Sequence, residues 1–281
     1  MSAEVTTSIA RVRAWRDDHR LAKRRVGFVP TMGALHEGHA RLIETARDNG
    51  DHVIVSIFVN PLQFDRKDDL ERYPRTLDAD LQICHRHGAE LVFAPPVGEM
   101  YPSEPVCTVT VERITDRLCG RFRPGHFDGV ATVVTKLFEI VQPDVAYFGE
   151  KDAQQLAVIR RMVSDLNMPV QIEGVPTVRE ADGLAMSSRN ARLSPEERSK
   201  AIALYRALRE AERAIEEGEQ DARAVERRAA AMIPSDGSLR LEYLEVVDPE
   251  ELQRVDRISG KVLIAGALWV GSTRLIDNIQ S

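Results

Sequence analysis

Apolar positions in the first half of the chain fall into short, nearly continuous runs separated by amphipathic stretches. Val26 to Val29 forms one such run, closed by Pro30, and Val53 to Val59 forms a longer one. Glu90 to Ala94 and Val145 to Phe148 read as further strands, and Val170 to Val175, which carries Gln171 and Glu173, as the one that ends the layer. Runs apolar at every position, without alternation, are expected of strands covered on both faces. Between them, Gly38 to Asn49 is amphipathic, and Leu77, Leu81 and Cys84 recur at helical spacing. Phe127 to Val141 and Asp152 to Asp165 read as further helices. Strands interleaved with helices of this length predict an α/β fold, a Rossmann-like doubly wound parallel sheet.

The pattern changes after about Pro176. Ser194 and Pro195 make a helix start, Ser as N-cap and Pro at the first helical position. One charged helix is predicted from there to about Glu217, and a second from Asp221 to Met232. Their many Glu and Arg residues are those of solvated faces. Three strand-like runs follow, at Leu239 to Val247, Val262 to Trp269 and Thr273 to Ile276. Helices followed by strands predict a smaller α+β domain. The expected boundaries are therefore 1–175 for the Rossmann-like domain and 176–281 for the smaller one.

Composition narrows the function classes. Lys and Arg number 38 against 44 Asp and Glu, a net charge of −6, which argues against a general nucleic-acid binder. The three cysteines, Cys84, Cys107 and Cys119, form no CxxC pair, so neither a disulfide framework nor a cysteine zinc site is expected. Met1 to Lys23 has no apolar h-region and is interrupted by Arg11, Arg13, Arg16, Asp17 and Asp18, unlike a signal peptide. No stretch approaches the roughly 18 apolar residues of a membrane span. The expectation is a cytoplasmic protein.

The chemistry begins directly after the first strand run. Met32-Gly33-Ala34-Leu35-His36-Glu37-Gly38-His39 joins that run to a predicted helix, the position where a doubly wound sheet holds a nucleotide phosphate. Gly33 and Gly38 have Walker A spacing, but His39-Ala40 stands where Lys-Ser/Thr is required, and no GxGxxG is present. HEGH lacks the four-residue spacing of an HExxH zinc site. Two imidazoles three residues apart at a helix start suit hydrogen bonding to charge that builds on an α-phosphate.

This turn resembles that of the HIGH-type nucleotidyl transferase superfamily, and Met186-Ser187-Ser188-Arg189-Asn190 resembles its KMSKS-type loop, although alone it reads equally as a polar linker. Other segments narrow the likeness: Phe58-Val59-Asn60-Pro61-Leu62-Gln63-Phe64, Gly120-Arg121-Phe122-Arg123-Pro124-Gly125-His126-Phe127, and Phe148-Gly149-Glu150-Lys151-Asp152-Ala153-Gln154-Gln155. In this order the series is similar to the pantothenate synthetase family. It is dense from 30 to 190, and the C-terminal third fits in length and character.

The resemblance implies an ATP-dependent ligase that condenses pantoate with β-alanine through a pantoyl-adenylate, with Mg²⁺ accompanying ATP, and a homodimer. It implies ATP contacts from Met32 to His39, Gly149 to Asp152, Val178 and Met186 to Arg189. His39, His36, Lys151, Ser187, Ser188 and Arg189 would neutralise phosphate charge. Gln63 and Gln155 would hold pantoate, with Asn60 and His126 as further substrate contacts. From the sequence alone Asp152 reads as a helix cap ahead of a ribose contact, and Arg121 and Arg123 read as a wall of the phosphate pocket. Asp78 and Asp80 read as solvated carboxylates on a helix face, and no Mg²⁺ ligand is assigned. Two other readings stay open: a nucleotidyltransferase that stops at a nucleotidylated product, and a non-catalytic adenylate sensor.

Overall fold

The computed structural model describes residues 3–234 and 237–281. The chain divides into two compact units. The first comprises 1–111, 123–150 and 158–176; the second comprises 112–122, 151–157 and 177–281.

The first unit is built on six parallel strands: β1 Glu4–Thr6, β2 Val26–Thr31, β3 His52–Ile57, β4 Leu91–Phe93, β5 Val145–Gly149 and β6 Gln171–Val175. Their order is β1-β4-β3-β2-β5-β6. Strand order therefore reverses between β2 and β5, and in such sheets ligands bind outside the carboxyl ends at the reversal. The principal helices are α1 Ile9–Leu21, α2 Glu37–Asp48, α3 Leu77–His87, α4 His126–Val141 and α5 Ala153–Asp165. Leu42 and Ile43 of α2 pack into one core with Val29, Val53, Val55, Val92, Val145 and Tyr147, which explains why the strands read as unbroken apolar runs.

β1 and α1 were not expected from the pattern. β1 has three residues, and of the four positions that α1 buries at helical spacing, Val12, Trp15, Arg16 and His19, only the first two are apolar, so no hydrophobic stripe shows.

In the second unit, α6 Pro195–Ala201, α7 Ala203–Glu216 and α8 Ala222–Ala230 accompany an antiparallel sheet of β7 Leu239–Val247, β8 Leu263–Val270 and β9 Thr273–Gln280. Ser194 and Glu197 form a reciprocal capping box at the start of α6. The single helix expected from Ser194 to Glu217 is broken at Ile202 into α6 and α7. Leu204, Leu208, Val225, Val246, Ile264 and Leu268 centre this unit's core. No helix among the described residues is long and apolar enough to cross a membrane.

All three cysteines are unpaired. Burial pushes the Cys84 thiol up to about 12, which leaves it protonated and chemically idle.

Candidate active site

The turn after β2 is fixed at both ends. Gly33 and Ala34 have φ of 80° and 52°, the left-handed region, and a Cβ on Gly33 would stand 3.0 Å from Asp80 Oδ2. Asp80, in the first turn of α3, is buried. Its carboxylate accepts from Ala34 N (3.0 Å), Leu35 N (2.8 Å) and Thr76 Oγ1 (3.1 Å). The solvated carboxylate expected at Asp80 is instead the anchor of the turn after β2. Turn and carboxylate lie 46 residues apart, so no local pattern announces the pairing.

At the other end of the turn, His36 is the N-cap of α2. Its Nδ1 accepts from Gly38 N (3.1 Å), while His39 Nδ1 accepts from His36 N (3.2 Å). The two rings lie 4.2 Å apart. A backbone N–H can only donate, so both Nδ1 atoms are unprotonated. In neutral imidazole the proton then resides on Nε2. The double cap thus turns two histidines into uncharged N–H donors at a helix N-terminus, where the helix dipole already favours an anion.

The parallel pairing of Thr31 with Ile57 puts the loop after β3 at the same sheet edge. There Asn60 is fully buried and makes four hydrogen bonds. Its Nδ2 donates to Gln63 Oε1 and Gly129 O (both 3.0 Å), and its Oδ1 accepts from Tyr101 Oη (2.9 Å) and Leu62 N (3.4 Å). Burial pushes the Tyr101 hydroxyl up to about 12, so it stays a donor at neutral pH. Gly129 permits the approach, since a Cβ there would stand 2.4 Å from Leu62 O. The amide capacity of Asn60 is consumed inside the protein. Its geometry is that of a positioning residue for Gln63. Because Gln63 Oε1 accepts from Asn60, its amino end points onward as the donor.

His126 has the same character. Its Nδ1–H donates to Gln63 O (2.7 Å), and its Nε2 accepts from Arg123 Nη1 (3.1 Å). Arg123 also reaches Gln63 O and Asp65. His126 and Arg123 thus form a buttress behind Gln63. Arg121 lies over the Phe122 ring, 5.6 Å from its centroid.

β5 ends at Gly149 and continues into a 3₁₀ turn, Glu150–Asp152. In the second unit, Lys151 is half-buried with its Nζ 3.9 Å from Asp152 Oδ2, and its carbonyl accepts from Asn278 Nδ2 (2.8 Å). Gln155 is half-buried on α5, whereas Gln154 is buried and donates to Ile114 O and Arg117 O.

The Met186–Asn190 loop closes a narrow hairpin: Met186 N donates to Val178 O (3.0 Å), and Glu180 N to Leu184 O (2.8 Å). Ser187 caps the following 3₁₀ turn, its Oγ accepting from Arg189 N. The stem is held by Arg179, which forks onto Asp277 (2.6 and 3.0 Å), and by Arg198, which reaches Glu180 and Asp182. Asn190 donates to Glu180 Oε1 and Ala185 O. Composition carries no signal for these tethers, whose partners lie up to 98 residues apart.

A family model described as pantoate-β-alanine ligase matches residues 4–280. The chain belongs to the pantoate-β-alanine ligase family. It is 51% identical to the pantothenate synthetase of Thermoanaerobacter pseudethanolicus over 275 residues, 98% of this chain and 97% of that one. It is 54% identical to the Acetivibrio thermocellus enzyme over 254 residues, 90% of each. The crystal structure of the Thermus thermophilus pantothenate synthetase superposes with a TM-score of 0.91 at 46% identity, over 98% of both chains. The Francisella tularensis ligase, solved with Beta-gamma ATP and β-alanine, superposes at 0.81 with 33% identity, over 99% of this chain and 97% of that one. The fold and family that the sequence motifs imply are those of these proteins.

Proposed function

We propose that this chain condenses pantoate with β-alanine at the expense of ATP, in two steps joined by a pantoyl-adenylate. The observation that carries the proposal is the reciprocal His36–His39 cap, which presents two neutral Nε2–H donors at the start of α2. In the first step a pantoate carboxylate oxygen attacks the α-phosphorus and the bond to pyrophosphate breaks. The nucleophile is already an anion, so catalysis consists of alignment and stabilisation of charge on the phosphoryl oxygens. Preorganised N–H donors suit that task, and His39 is the principal one. Lys151, Ser187, Ser188 and Arg189 act on the triphosphate as point charge, hydroxyls and guanidinium. Gln63 and Gln155 bind the hydroxyls and carboxylate of pantoate, with Asn60, Tyr101 and His126 holding Gln63 in place.

In the second step the amine of β-alanine attacks the activated carbonyl. AMP leaves, and the nitrogen loses a proton to give the amide. The family resemblance brings Mg²⁺ with ATP. The donors on the phosphate turn are N–H groups, which bind phosphate oxygen and not a cation. An Mg²⁺ accompanying the nucleotide would supply charge neutralisation there, with no protein carboxylate assigned to hold it. The resemblance also carries a homodimer, which sedimentation velocity reads directly.

The deciding experiment is ATP–pyrophosphate exchange with pantoate in the absence of β-alanine, followed by AMP release when β-alanine is added. The proposal requires exchange that depends on pantoate, and pantothenate equal to AMP once all three substrates are present. Absence of exchange without β-alanine removes the adenylate. A stable nucleotidylated product removes the ligase.

A further inference from the structure

At the amino edge of the first unit's sheet, opposite the edge that carries the phosphate turn, three side chains from three elements converge. His19 comes from the last turns of α1, His52 opens β3, and Glu90 immediately precedes β4. One ligating atom from each lies within 4.8 Å of the other two. We propose that His19, His52 and Glu90 form a binding site for a first-row divalent cation, with Zn²⁺ as the representative ion.

His19 is the observation that turns a cluster into a site. It is buried, with 6% of its surface exposed, and its Nδ1 is 2.8 Å from the carbonyl oxygen of Trp15. A carbonyl only accepts, so Nδ1 bears the proton and neutral His19 offers its lone pair at Nε2. That Nε2 is buried and has no hydrogen-bond partner, and Glu90 Oε2 lies 3.6 Å from it. A carboxylate has no proton to give it. A lone pair buried toward a carboxylate has a natural occupant in a cation between them. The Nδ1–H to backbone carbonyl bond is also the arrangement that orients metal-bound imidazoles and raises their basicity.

Ring packing holds His19 in that pose. Its centroid is 3.8 Å from Trp15 and 4.8 Å, edge-on, from His52. The other two ligands are more accessible, with His52 half-buried and Glu90 exposed, so an ion has a path in and a water can complete the shell. Two imidazoles and one carboxylate with a fourth position open are a recognised zinc donor set. Ligand atoms about 2.1 Å from a tetrahedral ion stand about 3.4 Å apart. The His19–Glu90 separation of 3.6 Å already matches. His52 Nδ1 and Glu90 Oε1, now hydrogen-bonded at 2.7 Å, would separate slightly as His52 gives up its Nδ1 proton. The bound ion would tie the end of α1 to the starts of β3 and β4. This site is independent of the ligase reading, because none of its residues belongs to the phosphate turn or the pantoate loop.

The test is Zn²⁺ binding to the full chain, stripped with chelator and titrated in competition with a chromophoric chelator, with thermal unfolding measured in parallel. Wild type should bind one equivalent saturably, and its Tm should rise with Zn²⁺. Glu90→Gln removes one accessible ligand at nearly constant volume, and His52→Ala removes the other together with its ring contact to His19. Each should weaken binding at least about 100-fold, the upper end of the effect of losing an outer-shell partner, and abolish the Tm rise. His39→Asn controls for binding at the other histidine pair and should leave the titration unchanged. Pantoate-dependent exchange in His52→Ala should equal wild type. Wild-type binding within tenfold of both variants, or binding lost in His39→Asn, overturns the site.

Discussion

At the scale of single residues, His36 and His39 are informative because each does two jobs with its two nitrogens. The Nδ1 atoms satisfy backbone donors at the start of α2, and the proton this forces onto Nε2 is the donor proposed above for the chemistry. The jobs are separable by substitution. Asn at 39 keeps an acceptor at the place of Nδ1 and removes the far donor; Ala removes both. His39→Asn should keep a near-native Tm while pantoate-dependent exchange falls about 10²- to 10³-fold, the effect of removing one preorganised donor. His39→Ala should lose the same activity and in addition about 0.5–2 kcal/mol of stability with the cap. Thermal unfolding and exchange rates on both variants check this, and a His39→Asn enzyme of wild-type rate would remove His39 from catalysis. The sequence exposed the two histidines because they follow a strand run beside glycines. It hid Asp80, Tyr101 and Asn278, because a carboxylate, phenol or amide is recognised as structural only by a partner distant in sequence.

At the scale of elements, long apolar runs and capped helices were legible, since burial on both strand faces and the Ser194 cap leave local marks. Short or highly charged elements such as β1 and α1 left none. The hairpin from Val178 to Met186 belongs to the same hidden class. Its stem depends on ionic tethers, notably Arg198 to Glu180 and Asp182. The hydrogen bond from Arg198 holds the Asp182 carboxyl below its ordinary value of 3.8. A lowered carboxyl stabilises the fold above its unfolded value, and that contribution is lost as pH falls from about 3.8 toward the lower folded value. Arg198→Leu should therefore speed amide exchange in 178–190 at pH 7. The effect should be only about two- to fivefold, because such exposed pairs contribute about 0.2–1 kcal/mol. The gap between variant and wild type should narrow below about pH 3.8, where the wild type loses the same contact. A gap that persists unchanged into acid would rule out an ionic tether from Arg198.

For the whole molecule, the chain passes between its two units at 111/112, 122/123, 150/151, 157/158 and 176/177. The composition shift near Pro176 marks only the last of these crossings. The others bring 112–122 and 151–157 into the second unit through partners more than a hundred residues away. Within that unit Cys119 Sγ lies 3.2 Å from Tyr243 Oη, and Phe122 stacks on Tyr243 at 5.8 Å. Arg117 pairs with Glu245, and the Lys151 carbonyl accepts from Asn278. Tyr243 is buried, and that burial, ahead of its thiol neighbour, pushes its hydroxyl well above 10.0. A raised phenol stabilises the fold below its unfolded value and ceases to do so as pH rises through the folded one. The excised segment 177–281 keeps β7 to β9 and α6 to α8 but loses Cys119 and Phe122, the cover of Tyr243. It contains two tyrosines, Tyr205 and Tyr243. Spectrophotometric titration of that fragment should show Tyr243 ionising near its ordinary 10.0, whereas in the intact chain it should stay protonated well above that. The fragment should also unfold without a sharp thermal transition, because the second unit's core is opened on the Tyr243 side. A fragment that melts sharply and keeps one tyrosine protonated well above 10 would make 112–122 and 151–157 dispensable, and 177–281 a domain in its own right.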